Sequence, residues 1–364
     1  LNDQALADGK LAIIDHQFIE QHSLNFSDYQ AIVNNTRWQT IEQQSGLTKA
    51  ELLQAAQVYI NAENVICTWA MGLTQHRHSV ATIQELVNFQ MLRGNIGKKG
   101  AGLCPVRGHS NVQGNRTMGI NEKPLPGFIA AQSDLLNASL PQDPGHNVYH
   151  ALNALIAKKS KVLICLGGNL AAAASDTKKT YQALQSSELN VQISTKLNRS
   201  HLQIGKEALI LPCLGRTEID MQASGEQFIT VEDTFSMVHA SQGNVTPISK
   251  NVKSEIAIVG GIAQKTLGNK KVNWQSHIDD YNKIRDMIEQ VLPQFSSFNE
   301  RLESPGGFYL GNSARKRQWQ NATKRALFAT NELPTHLLQA QEESTSKNKK
   351  LFTLQSLRSH DQYN

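Results

Sequence analysis

Close cysteine pairs are missing from this sequence. Its four cysteines stand at positions 67, 104, 165 and 213, with no CxxC among them. Zinc and iron–sulfur centres held within one chain normally draw on close pairs, so this spacing argues against a metal site made from these four. Three of them sit in apolar runs, Val65-Ile66-Cys67, Leu163-Ile164-Cys165-Leu166 and Ile210-Leu211-Pro212-Cys213-Leu214. That is the setting of buried free thiols in a reducing compartment. No apolar run reaches the length of roughly 18 residues that a membrane-spanning helix needs, and no secretory signal is visible. Neither GxGxxG nor GxxxxGK[ST] occurs, which removes the ordinary dinucleotide fingerprint and the P-loop. No GxSxG elbow occurs either, which disfavours a serine hydrolase. His76 and His78 alternate and share a face of an extended segment, yet no carboxylate or cysteine lies at a compatible spacing. No metal ligand is assigned.

A block of one charge sign is also absent. The 36 basic and 31 acidic residues are spread along the chain for a net charge of +5. This balance favours small anions and argues little for nucleic acid. The dense basic groups, Arg315-Lys316-Arg317 and Lys347-Asn348-Lys349-Lys350, read as solvated surface.

What the sequence does have is a glycine-rich segment from Gly94 to Met118, GNIGKKGAGLCPVRGHSNVQGNRTM. Glycine lets backbone approach a ligand closely and permits the positive-φ turns that aim successive N–H groups at oxyanions. Asn95, Ser110, Asn111, Gln113 and Asn115 add neutral polar groups, and Arg93, Arg107 and Arg116 add fixed charge. Arg107, between Pro105-Val106 and Gly108, can present a bidentate fork to a carboxylate or phosphate. A structural ion pair is an equal reading of it.

A length of 364 residues suggests two domains. Thr48 and Glu51 form a capping box ahead of Leu52, Leu53, Ala56 and Ile60 at helical spacing. Asn64 to Met71 reads as a buried strand, followed by the polar loop 72–78 and a helix from about Val80 to Leu92. After the glycine-rich segment the pattern returns. A helix is expected over Val148–Ala157, then a strand over Lys161–Leu166 whose continuous apolar run suits a parallel sheet covered on both faces. Gly167-Gly168-Asn169 follows, then a helix capped by Ser175, strands over Leu189–Ser194 and Glu207–Leu211, and the loop 195–201 between them. Helices are expected from Ser254 to Gly268 and from Trp274 to Val291, with Gly306 to Pro334 less regular. Strands alternating with helices imply an α/β protein of two doubly wound, Rossmann-like, three-layer domains. Ligands in such sheets gather at the carboxyl ends of the strands.

Both termini read as cut. The chain opens on Leu1 inside a helical-looking stretch, and the strand-like Leu351-Phe352-Thr353-Leu354 lies close to its end. The expectation is a central piece of a longer polypeptide.

Met71-Gly72-Leu73-Thr74-Gln75, Met91-Leu92-Arg93-Gly94-Asn95-Ile96-Gly97-Lys98, Gly102, Pro105-Val106-Arg107-Gly108 and Asn111-Val112-Gln113-Gly114 form an ordered series. It resembles the molybdopterin oxidoreductase superfamily, in its formate dehydrogenase-like alpha-subunit branch. Weaker similarity runs through Leu166 to Asn169, the 194–201 loop, Leu209 to Pro212 and the closing residues 357–364.

The resemblance implies a molybdenum bis(molybdopterin guanine dinucleotide) cofactor, each dinucleotide held by one of two related domains. Residues 1–106 would be the C-terminal part of the first, only partly present. Residues 107–350 would be the second with a small insertion, and 351–364 would begin a further domain. Arg107 would anchor the substrate, and Gly72, Gln75, Gly108, His109, Asn111 and Gly114 would line the cofactor. Gly168, Asn169, Thr195, Lys196 and Asn198 would grip a guanine nucleotide. A 4Fe-4S cluster and the protein ligand to molybdenum would lie upstream of Leu1, so the chain by itself would be inactive. The implied activity is two-electron redox chemistry on a small anionic or oxo substrate, with an electron-transfer partner, in the cytoplasm. Thr195 departs from the acidic residue common there in the family. A non-catalytic protein that binds a nucleotide or the molybdenum cofactor is the alternative.

Overall fold

The computed structural model describes residue 2 and residues 13–334. The expected strand at 351–354 lies outside the described residues. In chain order the strands are β1 (Ser23–Leu24), β2 (Ile66–Trp69), β3 (Gly102–Pro105), β4 (Val162–Leu166), β5 (Leu189–Ser194), β6 (Glu207–Pro212), β7 (Asp220–Gln222), β8 (Gly225–Gln227), β9 (Ile229–Glu232), β10 (Met237–Ser241), β11 (Phe308–Tyr309) and β12 (Ala326–Leu327). β2 pairs in parallel with β3, and β4, β5 and β6 form a parallel sheet in that order. The protein is of the α/β class.

The described residues divide into two compact units. One holds residues 13–109, 234–236 and 311–334, and the other holds 110–233 and 237–310. The stretch 311–334, grouped by sequence with the second domain, therefore packs within the first unit. A buried side chain accounts for part of this. Asn88, on the Ser79–Met91 helix, donates from Nδ2 to the Ala329 carbonyl at 2.9 Å and accepts the Ala329 N–H at 3.0 Å. An extended strip thus pairs with one amide side chain as it would with a strand. Phe18, Ile19, Met91, Ala326 and Phe328 form the adjoining core. The Lys49–Asn61 helix opens on the expected capping box, with the Thr48 hydroxyl accepting from Glu51 N–H and the Glu51 carboxylate accepting from Thr48 N–H. Its end is closed by Arg93, whose guanidinium donates to the Ala62 carbonyl at 2.9 Å and also to that of Tyr59. Arg93 was a candidate charge for an oxyanion. Here it serves as a helix C-cap.

In the second unit the sheet β4–β5–β6 lies between helices. On one face Leu152, Leu155 and Ala183 pack with Leu163 of β4. On the other, Val191, Ile193 and Cys213 pack with Ile258 and Ile262 of the Glu255–Leu267 helix. β4 departs from the expectation of cover on both faces. Val162, Ile164 and Leu166 remain 52%, 49% and 52% exposed. β4 is an edge strand of this sheet among the described residues, and the apolar side chains of the Glu255–Leu267 helix pack on β5 and the end of β6.

The expected long helix from Trp274 is two, Trp274–Asp279 and Asn282–Val291. The break falls at Tyr281, whose N–H donates to Gln227 Oε1 at 2.9 Å and whose hydroxyl meets Ser254 Oγ at 2.7 Å. The small strands β7 to β11, two of them in a hairpin and three in an antiparallel sheet, were not anticipated.

Candidate functional site

In the first unit, β2 and β3 run in parallel register from Ile66 against Gly102 to Trp69 against Pro105. Val106 N–H extends the ladder by donating to the Trp69 carbonyl at 2.7 Å. Both strands therefore deliver their loops to one edge. After β2 comes a single helical turn, Met71–Thr74, that ends at Gln75. After β3 comes Arg107-Gly108-His109. Gly72, Gln75, Arg107, Gly108 and His109 are all exposed, and no atom stands within 4 Å of where a Cβ would lie at Gly72 or Gly108. Main chain is open to a ligand at both glycines. Thr234 Oγ1 fixes the strand end by donating to the Pro105 carbonyl at 2.5 Å.

In the second unit, Asn111 begins the Val112–Thr117 helix from the left-handed region, at φ 65°. Its Oδ1 accepts the Glu232 N–H at 3.1 Å. Gly114 is buried directly beneath. A Cβ there would collide with the Asn111 carboxamide and press on the Glu232 stem at 3.3 Å. The glycine at 114 is thus explained by packing, and the Asn111 oxygen is engaged inside the protein. Ser110 is held by the Arg216 guanidinium, which also donates from Nε to Ser241 Oγ at 3.1 Å. Burial pushes the Glu232 carboxyl above the ordinary carboxylate range against the opposing pull of Thr117 and Gln113.

The loops after β4 and β5 meet at the carboxyl edge of the sheet. Gly167 and Gly168 take φ values of 63° and 98°, which turn the chain sharply off β4. Asn198 Nδ2 donates to the Gly168 carbonyl at 3.0 Å, and its Oδ1 accepts Ser200 N–H at 2.9 Å. Ser200 Oγ, fully buried, donates to Asn169 Oδ1 at 3.1 Å and accepts Ala171 N–H at 3.0 Å. Asn198 N–H meets His201 Nδ1 at 2.9 Å, and the same ring nitrogen lies 3.2 Å from both the carbonyl and the Oδ1 of Asn198. The buried His201 Nε2 has no hydrogen-bond partner among the described residues. Asn169 and Asn198 thus bind one loop to the other, while Gly168, Thr195 and Lys196 stay exposed on the outer side. Ser200 and the orphaned His201 nitrogen were not assigned a role from sequence. The spacing of Asn198 to His201, a capping pair for the short turn Arg199–Leu202, is the signal that marks them.

Among the described residues no group of three or more His, Cys, Asp or Glu side chains is arranged to hold a metal ion. His76 and His78 are neighbours, with ring centroids 5.9 Å apart, and His76 Nδ1 accepts the His78 N–H. The cysteines are free thiols. Among the described residues no helix is long and apolar enough to cross a membrane.

These loop positions can be compared with those of known proteins. Protein YdeP of Shigella flexneri is 44% identical over 363 residues, covering 100% of this chain and 47% of the relative. The F420-dependent formate dehydrogenase subunit alpha of Methanocaldococcus jannaschii is 27% identical over 302 residues, covering 81% of this chain and 42% of the relative. The chain spans about half the length of the curated relatives it matches. Among solved structures, the acetylene hydratase of Pelobacter acetylenicus superposes with a TM-score of 0.53 over 74% of this chain and 39% of that one, at 13% identity. That likeness is one of fold. The profile of the molybdopterin oxidoreductase family matches residues 2–212, which include both sets of strand-end loops, and the chain belongs to this family.

Proposed function

We propose that this chain forms the central part of a formate dehydrogenase-like oxidoreductase that carries molybdenum as bis(molybdopterin guanine dinucleotide). The observation that carries the reading is repetition. Each unit presents an open, glycine-bearing loop pair at the carboxyl edge of a parallel sheet, at 71–75 with 106–109 in one and at 167–169 with 195–201 in the other. Parallel α/β sheets bind ligands at that edge.

The residues present suit such a group. Gly72, Gly108 and Gly168 each leave the space beside their Cα empty, so backbone N–H groups can reach phosphate or pterin oxygens. Lys196 and Arg199 are exposed cations on the loop after β5, suited to a pyrophosphate. The buried His201 Nε2 has no protein partner among the described residues and is free to meet a polar group of the ligand. On this reading Gly72, Gln75, Gly108 and His109 border one part of the cofactor. Gly168, Thr195 and Lys196 contact the nucleotide, while Asn169, Asn198, Asn111 and Gly114 hold the loops in shape. When bound, the cofactor supplies two-electron redox capacity, and the protein supplies position and charge. Arg107 binds the substrate's negative oxygens with its planar guanidinium and orients them.

The substrate class is a small anion or oxo compound, and electrons pass to or from a separate partner. A 4Fe-4S cluster, if the complete polypeptide has one, is held by residues outside this chain, and turnover belongs to that complete polypeptide. The free thiols are consistent with a cytoplasmic location. The test uses the full-length protein. Molybdenum analysis and acid release of nucleotide should yield the metal with two equivalents of GMP. Arg107→Ala should lower turnover at least tenfold with the metal content preserved, the loss expected when a charge-assisted anchor is removed. Full-length protein free of pterin would favour a binding or maturation role for another nucleotide.

A further inference from the structure

The Glu255–Leu267 helix carries two adjacent glycines at its centre, Gly260 and Gly261. Glycine inside a helix is destabilising relative to alanine, so each position calls for a reason. Packing supplies one for Gly260, where a Cβ would come within 2.9 Å of the Ile278 side chain. It supplies none for Gly261. Among the described residues no atom stands within 4 Å of the place its Cβ would take, and Gly261 lines a cavity of about 1020 Å³ in the second unit. This volume is at the upper limit of small-molecule sites, roughly 300–1,000 Å³. The site described above does not use it.

Most of the cavity wall is aliphatic, with Leu211, Leu214, Val252, Ile258, Ile262 and Ile278 among its members. Among the described residues that line it there is no aromatic ring on which a flat ligand would stack. Three cations stand around it, Lys250, Lys253 and Lys265, all exposed. The loop that bears the first two is pinned to the end of β6, where Leu214 N–H donates to the Lys253 carbonyl at 3.0 Å. None of the three lysines forms an ion pair among the described residues. Asp220, the single carboxylate on the lining among the described residues, is engaged by the protein. Its Oδ2 accepts from the Tyr281 hydroxyl and its Oδ1 from the Gln222 amide. The cavity thus sets net positive charge beside a hydrocarbon surface.

We propose that this cavity binds an amphipathic acid, an alkyl chain that bears a carboxylate or phosphate head, with the chain laid over Gly261 and the head among Lys250, Lys253 and Lys265. An aliphatic chain gains from leaving water and needs no stacking partner. The missing Cβ lets it touch the helix backbone. Charge complementarity selects the anionic head and sets which way the chain lies.

The experiment titrates the full-length protein by calorimetry with decanoate, decyl phosphate and decanol, each kept below the concentration at which it forms micelles. One of the two acids should saturate a single site at least about tenfold more tightly than decanol, and the tighter acid identifies the head group. Added salt should narrow that difference. Replacing the three lysines together, Lys250→Gln, Lys253→Gln and Lys265→Gln, should bring the acid down to the affinity of decanol and leave decanol unchanged. Gly261→Leu fills the cavity from a position outside the positive-φ glycines and improves helix propensity, so it should fold and lose all three probes. Circular dichroism melting reports whether each variant folds, and the lysine variant carries the test if Gly261→Leu does not. Equal affinity for acid and decanol, acid binding untouched in the folded variants, or no saturable binding of any probe overturns the assignment. A synthetic Leu/Glu amphipathic peptide that binds where neither acid does also overturns it, in favour of a protein partner.

Discussion

Asn198 ties the loop after β5 to the loop after β4 by donating from Nδ2 to the Gly168 carbonyl at 3.0 Å. The same side chain caps the next turn through Oδ1 and Ser200 N–H at 2.9 Å. Two functions in one amide can be separated by substitution. Asn198→Asp keeps the cap and loses the donor, while Asn198→Ala loses both. Each bond of this kind contributes about 1 kcal/mol. Urea denaturation should therefore show a loss of about 1 kcal/mol for Asp and about 2 kcal/mol for Ala. Equal losses would mean that the link to Gly168 contributes nothing.

Gly114 makes a sharper case for a glycine kept by packing. The Asn111 carboxamide occupies the place of its missing Cβ, and the Glu232 stem closes the other side. Both neighbours are fixed, because Asn111 is held at φ 65° and bonded to Glu232 N–H. Gly114→Ala should cost about 1–3 kcal/mol, as overpacking of a tight site does. It should also release the Asn111 carboxamide, so amide exchange at Glu232 should accelerate in the folded protein. A variant with unchanged exchange at Glu232 and unchanged stability would show that Asn111 can move aside at no cost.

The strands and helices that bear the candidate loops could be read from sequence where their signals are local, whereas β3, which leads into Arg107, lies inside the glycine-rich segment and was not expected. Thr48 with Glu51 marks a helix start, and Leu189 to Ser194 is bounded as a strand by its own residues. Regions whose structure depends on distant partners were not legible. β10 pairs with β9 and β11, and β11 lies some seventy residues further along the chain. The break at Tyr281 is set by Gln227 and Ser254, neither of which is near it in sequence. The same holds at the site. Gly168, Asn169 and Asn198 stood out by composition, but that the two amides bind one loop to the other, with Ser200 buried between them, depends on tertiary packing.

Glu232 gives a prediction about pH. Its side chain is buried, and Oε2 has no partner among the described residues. Burial is the main cause that holds its carboxyl above the ordinary value of 4.5. Asp233 adds to the effect, and donors from Thr117 and Gln113 oppose it. Between the unfolded and folded values the native state then holds more protons than the unfolded chain. The stability this group contributes is complete below the unfolded value and is lost as pH rises through the folded one. Glu232→Gln removes the titration and leaves the backbone bond to Asn111 available. Melting temperatures followed from about pH 4 to about pH 8 should therefore fall more with rising pH in the wild type than in the variant. The gap between them should open only above the ordinary glutamate range. Curves that stay parallel throughout would mean that Glu232 ionises as readily in the folded protein as in the unfolded chain, with its charge met by a donor at Oε2.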